Sequence, residues 1–177
     1  TYEDGQINDK YGIDTYELKP DSPKRQVVIG SGPIRIGQGI EFDYGCVHAV
    51  KSIREHGDEA IIINNNPETV STDFDTSNRL YFEPLSIEFV IEILLRERAY
   101  GILLQFGGQT AINLALPLQK RMEILEKAGL NLRLLGTSID AIDEASDRER
   151  FEEFSRKNGL KMPTGLTGKT SKEVRSA

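Results

Sequence analysis

The stretch QVVIGSGPIRIGQGIEFDYGCVHAVKSIREHG, Gln26 to Gly57, decides the fold. It opens with a β-branched run, Val27-Val28-Ile29, that meets glycines at Gly30 and Gly32, as a buried parallel strand does on entering a turn. It closes on a helical pattern. From Asp43 to His56, Cys46, Ala49, Val50 and Ile53 stand at i, i+3, i+4 and i+7, and Gly57 supplies the stop.

The same alternation runs on toward the C-terminus. Ala60 to Ile63 reads as a second strand and Leu80 to Phe82 as a short third. Ile87, Val90, Ile91 and Leu94 form the next helical stripe, and Gly101 to Leu104 the fourth strand. Thr110 to Ala128 is helical in composition, but Pro117 removes a backbone donor and is expected to kink or split it, with Gly129 ending it. Leu132 to Leu135 reads as a fifth strand. Helices are expected around Ile139 to Ala145 and Asp147 to Asn158, with Asp147 as N-cap and Gly159 beyond the last turn. Strands alternating with helices imply right-handed crossovers, hence an α/β fold: a Rossmann-like parallel sheet with helices on both faces.

Composition agrees. The chain has 177 residues, 38% hydrophobic and 28% charged, enough for one domain with an appendage. A net charge of -6 argues against a nucleic-acid or anionic-membrane partner, which needs a basic face. No apolar run approaches the ~18 residues of a membrane span, so a soluble chain is expected. One cysteine, Cys46, excludes an intrachain disulfide. The chain begins at Thr1 without an initiator Met and closes on a polar tail, as a piece of a longer protein would. Three regions are expected: an arm over residues 1–25, a body over 26–159, and a tail over 160–177.

In such sheets ligands bind at the loops after the carboxyl ends of the strands. The first loop, IGSGPIRIGQGIEFDYG (Ile29 to Gly45), invites a phosphate cradle, yet its details resist one. A dinucleotide fingerprint from Gly30 needs glycine where Arg35 stands, and the second strand ends in Asn64-Asn65-Asn66 instead of a ribose-binding carboxylate. A Walker A loop fits Gly32 to Gly37 in spacing, but Gln38 and Gly39 replace its Lys and Ser/Thr. The glycines can equally serve a tight turn and close helix packing. The second loop, Asn64 to Asp75, has the composition of self-satisfied turns. The third puts Gly107, Gly108 and Gln109 at a helix N-terminus, a rim or interface position suited to holding an anion or simply to letting two backbones approach. His48 and His56 share one helix without a partner, and Cys46 has no ligand at zinc spacing. No G-x-S-x-G nucleophile elbow is present. Asp43 and Arg150 stand out as polar positions without an evident mechanism. The residues alone therefore reach a fold and stop short of a reaction.

At the level of whole segments, IGSGPIRIGQGIEFDYG, IINNNPETVSTDFDTSNRLYFEP (Ile62 to Pro84), QFGGQTAINLAL (Gln105 to Leu116) and LLGTSIDAIDEASDRERF (Leu134 to Phe151) resemble the carbamoyl-phosphate synthase large subunit. Four long motifs in order, from Gln26 to about Gly159, make the resemblance specific. In that family two homologous halves each begin with a Rossmann-like pre-ATP-grasp domain and continue into an ATP-grasp domain. This chain resembles one pre-ATP-grasp domain, with residues 160–177 as the start of a truncated ATP-grasp domain or a disordered tail. Gly37 to Tyr44 and Asn66 to Ser71 are more similar to the carboxyl half.

The resemblance implies a glutamine-hydrolysing ligase. The parent would make carbamoyl phosphate from bicarbonate, glutamine-derived ammonia and two ATP, for pyrimidine or arginine synthesis, with the carboxyl half phosphorylating carbamate. It implies ATP with Mg or Mn held mainly outside this piece, no catalytic residue and no metal within it, and no activity in isolation. The implied partners are the ATP-grasp domain, the other half and a glutaminase. The implied compartment is the cytoplasm, an organelle staying open because a lost leader would hide a targeting signal. Ile34, Ile36, Gly39 and Glu41 match the stretch that lines the family's carbamate tunnel. The rival reading is a free-standing Rossmann-like module for a nucleotide or anion. A biotin carboxylase shares the fold expectation but not the EFDY and NPETVSTDFD strings.

Overall fold

The computed structural model describes residues 22–35 and 37–162. Most of the expected arm (residues 1–21), Ile36, and the tail from residue 163 lie outside them. The chain divides into two compact units, one through Thr137 and one from Ser138.

The first unit holds a five-stranded parallel sheet: β1 (Arg25–Ile29), β2 (Glu59–Ile63), β3 (Arg79–Tyr81), β4 (Gly101–Leu103) and β5 (Arg133–Leu134), in the order β3-β2-β1-β4-β5. The order reverses between β1 and β4, so the loops after these two strands frame the crevice where doubly wound sheets hold ligands. Val28 is in register with Ile62 and Leu103, and Ile62 with Leu80. That row packs under α1 (Ile40–Glu55) with Cys46, Val50 and Ile53. The alternate row, Val27, Ile29, Ile61, Ile63 and Ile102, is just as fully buried, so both faces of the sheet are covered.

Helix α1 presents the face its spacing foretold but starts three residues earlier, at Ile40. Its Cys46 thiol is 1% exposed and donates to the carbonyl of Ile29 at 3.6 Å. Burial first, and the Asp43 carboxylate second, push its pKa up to about 12, so the nucleophilic thiolate is scarce near neutrality. At pH 8 we expect a thiol-specific disulfide reagent to react with folded chain slower by about tenfold or more than with chain in denaturant. Equal rates would place Cys46 outside the core.

Helix α2 (Ile87–Glu97) buries Val90, Ile93, Leu94 and Glu97, while Ile87 and Ile91 are only half-buried, a face rotated toward Ile93 from the expected stripe. Ser86 Oγ caps it by accepting from Phe89 N–H. The buried Glu97 carboxylate is held by Arg79 and the Tyr81 hydroxyl, with Arg25 at 3.5 Å. Burial first, then the hydrogen bond to Glu97, push the Tyr81 phenol well above its ordinary range. These charged groups surround the ion on the sheet face opposite α1, since Arg25, Arg79 and Tyr81 share the parity of Val27.

The segment expected as one helix broken at Pro117 is three short helices: α3 (Gly108–Ile112), α4 (Ala115–Gln119) and α5 (Met122–Lys127). Pro117 lies inside α4, and of the two breaks one falls near Asn113 and the other at Lys120 and Arg121, which the proline does not explain. A proline ring excludes the carbonyl four residues back, so the disruption appears at Asn113 and not at the proline. Gly129, at φ +83°, follows the last helix as expected.

The second unit carries α6 (Ile139–Ser146) and α7 (Arg148–Lys157). Ser138 caps α6 by accepting from Ala141 N–H at 3.2 Å, and Asp147 caps α7 by accepting from Arg150 N–H at 2.9 Å. Arg150, without a role in sequence, ties the two helices together by bridging Asp143 and Asp140 of α6.

Candidate functional site

The loop after β1 begins by extending the sheet: Gly30 N–H donates to the carbonyl of Ile63 at 2.9 Å. The chain then turns at Gly32, φ +68°, whose N–H donates to Asn64 Oδ1 at 3.0 Å. Asn64 is 1% exposed and passes the contact on, its Nδ2 donating to Ser71 Oγ at 3.2 Å. A Cβ at Gly30 would lie 2.3 Å from Asn64 Cγ, so the glycine makes room for the asparagine. The loop ends at Gly39, φ +70°, which precedes α1 without a side-chain cap and packs against Ile34 and Phe42.

The second loop is a hydrogen-bonded knot. Asn66 Oδ1 accepts from Glu68 N–H at 3.0 Å, and the carbonyl of Asn66 accepts from the hydroxyls of Thr69 and Thr72. A 3₁₀ turn follows at Val70–Thr72. Its first two amides donate to one carboxylate on α1: Val70 N–H to Asp43 Oδ2 at 3.0 Å and Ser71 N–H to Asp43 Oδ1 at 2.9 Å. Asp43 thereby acquires the role its sequence position did not disclose. At the other end of α1, Arg54 Nη1 donates to the carbonyls of Asp75 and Thr76. The polar residues of this loop mostly satisfy one another, as their composition suggested.

The third loop meets the first at the crevice. Gly107 lies against the carbonyls of Ile29 and Gly30, Gly108 (φ +63°) against the Phe42 ring, and Gln109 is exposed, its Nε2 donating to Asn113 Oδ1 at 2.8 Å. Gly107 and Gly108 thus let the third loop pack against the first, whereas Gln109 bonds within its own helical turn. His48 is exposed and its ring lies 4.1 Å from that of Tyr44.

Two hollows open on the glycine loop. A cleft of about 270 Å³ runs between Ile34, Arg35 and Gly37 to Ile40 on one side and Asn66, Glu68, Thr69 and Val70 on the other, with Asp43 in its lining. A second hollow, of about 510 Å³, is bordered by Ile34, Gly39 and Glu41 together with Arg35, Gln38, Ile40 and Phe42. Three of the four residues singled out for the tunnel thus share one hollow; the fourth, Ile36, lies outside the described residues. Both hollows carry mixed charge: Arg35 lines each of them, with Asp43 in the cleft and Glu41 in the second hollow. Among the described residues no group of three His, Cys, Asp or Glu side chains is placed to hold a metal ion. No described helix is long and apolar enough to cross a membrane.

Four large apolar side chains are exposed on the two segments that Asp43 joins: Ile40 and Tyr44 (66% exposed) on α1, and Val70 and Phe74 (92% exposed) at and just after the 3₁₀ turn.

Comparisons with known proteins converge. The family model described as the carbamoyl phosphate synthase preATP-grasp domain matches residues 22–144. The carbamoyl phosphate synthase large chain of Methanothrix thermoacetophila is 57% identical over 147 residues, covering 83% of this chain and 13% of that protein. That of Myxococcus xanthus is 52% identical over 168 residues, covering 93% and 15%. The Aquifex aeolicus carbamoyl phosphate synthase large chain, C-terminal section, is 53% identical over 151 residues, covering 85% and 26%. This chain therefore spans only a small part of the length of the relatives it matches. Among solved structures, the biotin carboxylase domain of a single-chain bacterial carboxylase superposes with a TM-score of 0.55 at 14% identity, covering 88% of this chain and 33% of that one, a likeness of fold.

Proposed function

This chain belongs to the carbamoyl phosphate synthase large-chain family, as its pre-ATP-grasp domain, and on that premise we propose that it is the pre-ATP-grasp domain of a carboxyl half. In this reading the domain supports a neighbouring ATP-grasp domain and lines part of a conduit for carbamate. The observation that carries the conduit is the convergence of Ile34, Gly39 and Glu41 on one hollow. Carbamate decomposes in water, so its passage needs walls that exclude solvent; Ile34, Ile40 and Phe42 bring apolar side chains to this lining, and Gly39, without one, lets Ile34 and Phe42 pack close to the loop. The match to a C-terminal section supports the carboxyl half.

The parent enzyme would form carbamoyl phosphate from bicarbonate, ammonia released from glutamine, and two ATP, serving pyrimidine or arginine synthesis in the cytoplasm. The residues here do not fit an ATP–metal site, because Gln38 and Gly39 stand where a Walker A loop places Lys and Ser/Thr, and no described cluster of three His, Cys, Asp or Glu is placed to hold the metal. The nucleotide and its Mg or Mn would be held in the ATP-grasp domain, and a glutaminase would supply ammonia. The exposed Ile40, Tyr44, Val70 and Phe74 support burial against the rest of a large chain, since a lone domain rarely leaves such a group in water.

Two measurements test this. Full-length parent protein supplied with ATP, bicarbonate and ammonia should accumulate carbamoyl phosphate, and calorimetry of the isolated chain with ATP, ADP or NAD should show no micromolar binding. Micromolar binding by the isolated chain would favour a free-standing nucleotide module instead.

A further inference from the structure

The cleft beside the glycine loop has two walls from separate parts of the chain, Ile34, Arg35 and Gly37 to Ile40 on one side and the Asn66–Val70 turn on the other. The second wall is stiff within itself, through Asn66, Thr69, Ser71 and Thr72. While the Asn64 side chain links Ser71 to Gly32 of the glycine loop, within the cleft this wall is tied to α1 by one carboxylate. Both oxygens of Asp43 are spent on it, each accepting one of two consecutive amides, Val70 at 3.0 Å and Ser71 at 2.9 Å. A carboxylate alone among side chains of this length offers two equivalent acceptors, and amides at the start of a turn favour a negative charge. The body of α1 is fixed elsewhere, by Cys46, Val50 and Ile53 against the sheet, so α1 stays seated if the clamp is cut. A second strap, Arg54 to Asp75 and Thr76, joins the same helix to the same loop away from the cleft.

We propose that Asp43 is a positioning residue for the conduit: it holds the Asn66–Val70 wall against α1, and without it carbamate escapes to water before phosphorylation. The proposal rests on the conduit reading above, with the cleft as the continuation of that hollow: the two share Ile34, Arg35, Gly37, Gln38, Gly39 and Ile40, while Asp43 and the Asn66–Val70 turn line the cleft alone. Carbamate lost in this way reverts to bicarbonate and ammonia, while the ATP already cleaved to make it is spent without product.

The test is the number of ATP hydrolysed per carbamoyl phosphate formed by the full-length large chain with ammonia as nitrogen donor. Asp43→Ala should raise this ratio at least about threefold, with Asp43→Asn, which keeps one acceptor, in between. Arg54→Ala, which cuts the strap remote from the cleft, should leave the ratio unchanged. An unchanged ratio in folded Asp43→Ala overturns the proposal, as does a rise of equal size in Arg54→Ala. If Asp43→Ala fails to fold, Asp43→Asn decides; if both fail, Asp43 is a stability element and the proposal is wrong. Gly39→Phe is measured alongside. A raised ratio there with none in the Asp43 variants defeats this inference alone, whereas no rise in any variant defeats the conduit itself.

Discussion

Gly107→Ala is expected to destabilise the chain by about 3 kcal/mol or more. A Cβ at this position would lie 2.3 Å from the carbonyl oxygen of Gly30 and 2.6 Å from that of Ile29. Ile29 ends the central strand β1 in register with Ile63 of β2, and Gly30 follows it with its N–H bonded to the Ile63 carbonyl, so neither can yield without disturbing the sheet. The comparison variant is Gly129→Ala. There φ is +83° and a Cβ would meet nothing within 4 Å, so only left-handed backbone strain is added, about 1–2 kcal/mol. Chemical denaturation should separate the two variants clearly. Equal midpoints would mean that the loops after β1 and β4 do not touch as described.

Gly39→Phe is expected to leave bicarbonate-dependent ATP cleavage running in the full-length enzyme while suppressing carbamoyl phosphate. A Cβ at Gly39 would come within 2.6 Å of Ile34 Cδ1 and 3.2 Å of Phe42 Cδ2, and an aromatic ring adds more bulk than the movement of Ile34 can absorb. Ile34 and Gly39 border both hollows on this loop, so the displaced side chain and the new ring enter the space proposed for carbamate. Position 39 also has φ +70°, which adds strain to any L-residue. Gly57→Phe isolates that component. Gly57 has φ +84°, a Cβ there meets nothing within 4 Å, and it lies at the far end of α1. It should lose stability and keep its coupling of ATP use to product.

The strands and the buried face of α1 were legible because each depends on nearby residues: β-branched runs for β1 and β2, and the Cys46-Val50-Ile53 spacing for the helix. Glu97 was not. A glutamate at the end of a helix reads as solvated until Arg25, Arg79 and Tyr81 arrive from other strands to satisfy it. Pro117 announced a break but not its place, because the ring acts on the Asn113 carbonyl four residues earlier.

At the site, glycine density marked the right loop, yet the glycines differ in kind. Gly30 yields to the Asn64 side chain, Gly107 to backbone, and Gly39 to a left-handed turn. Sequence alone does not separate these uses. The turn-like composition of Asn64 to Asp75 was read correctly as self-satisfying, but its attachment was hidden, since Asp43 lies 27 residues from Val70 in sequence. The resemblance carried the function; the residues carried the fold.

The most direct measurement of the central claim is the ratio of ATP hydrolysed to carbamoyl phosphate formed, compared between the full-length parent enzyme and its Gly39→Phe variant with ammonia as nitrogen donor. A ratio that climbs steeply in Gly39→Phe, while bicarbonate-dependent ATP hydrolysis persists and Gly57→Phe stays at the parent value, is the predicted result. An unchanged ratio in a folded Gly39→Phe enzyme would contradict it.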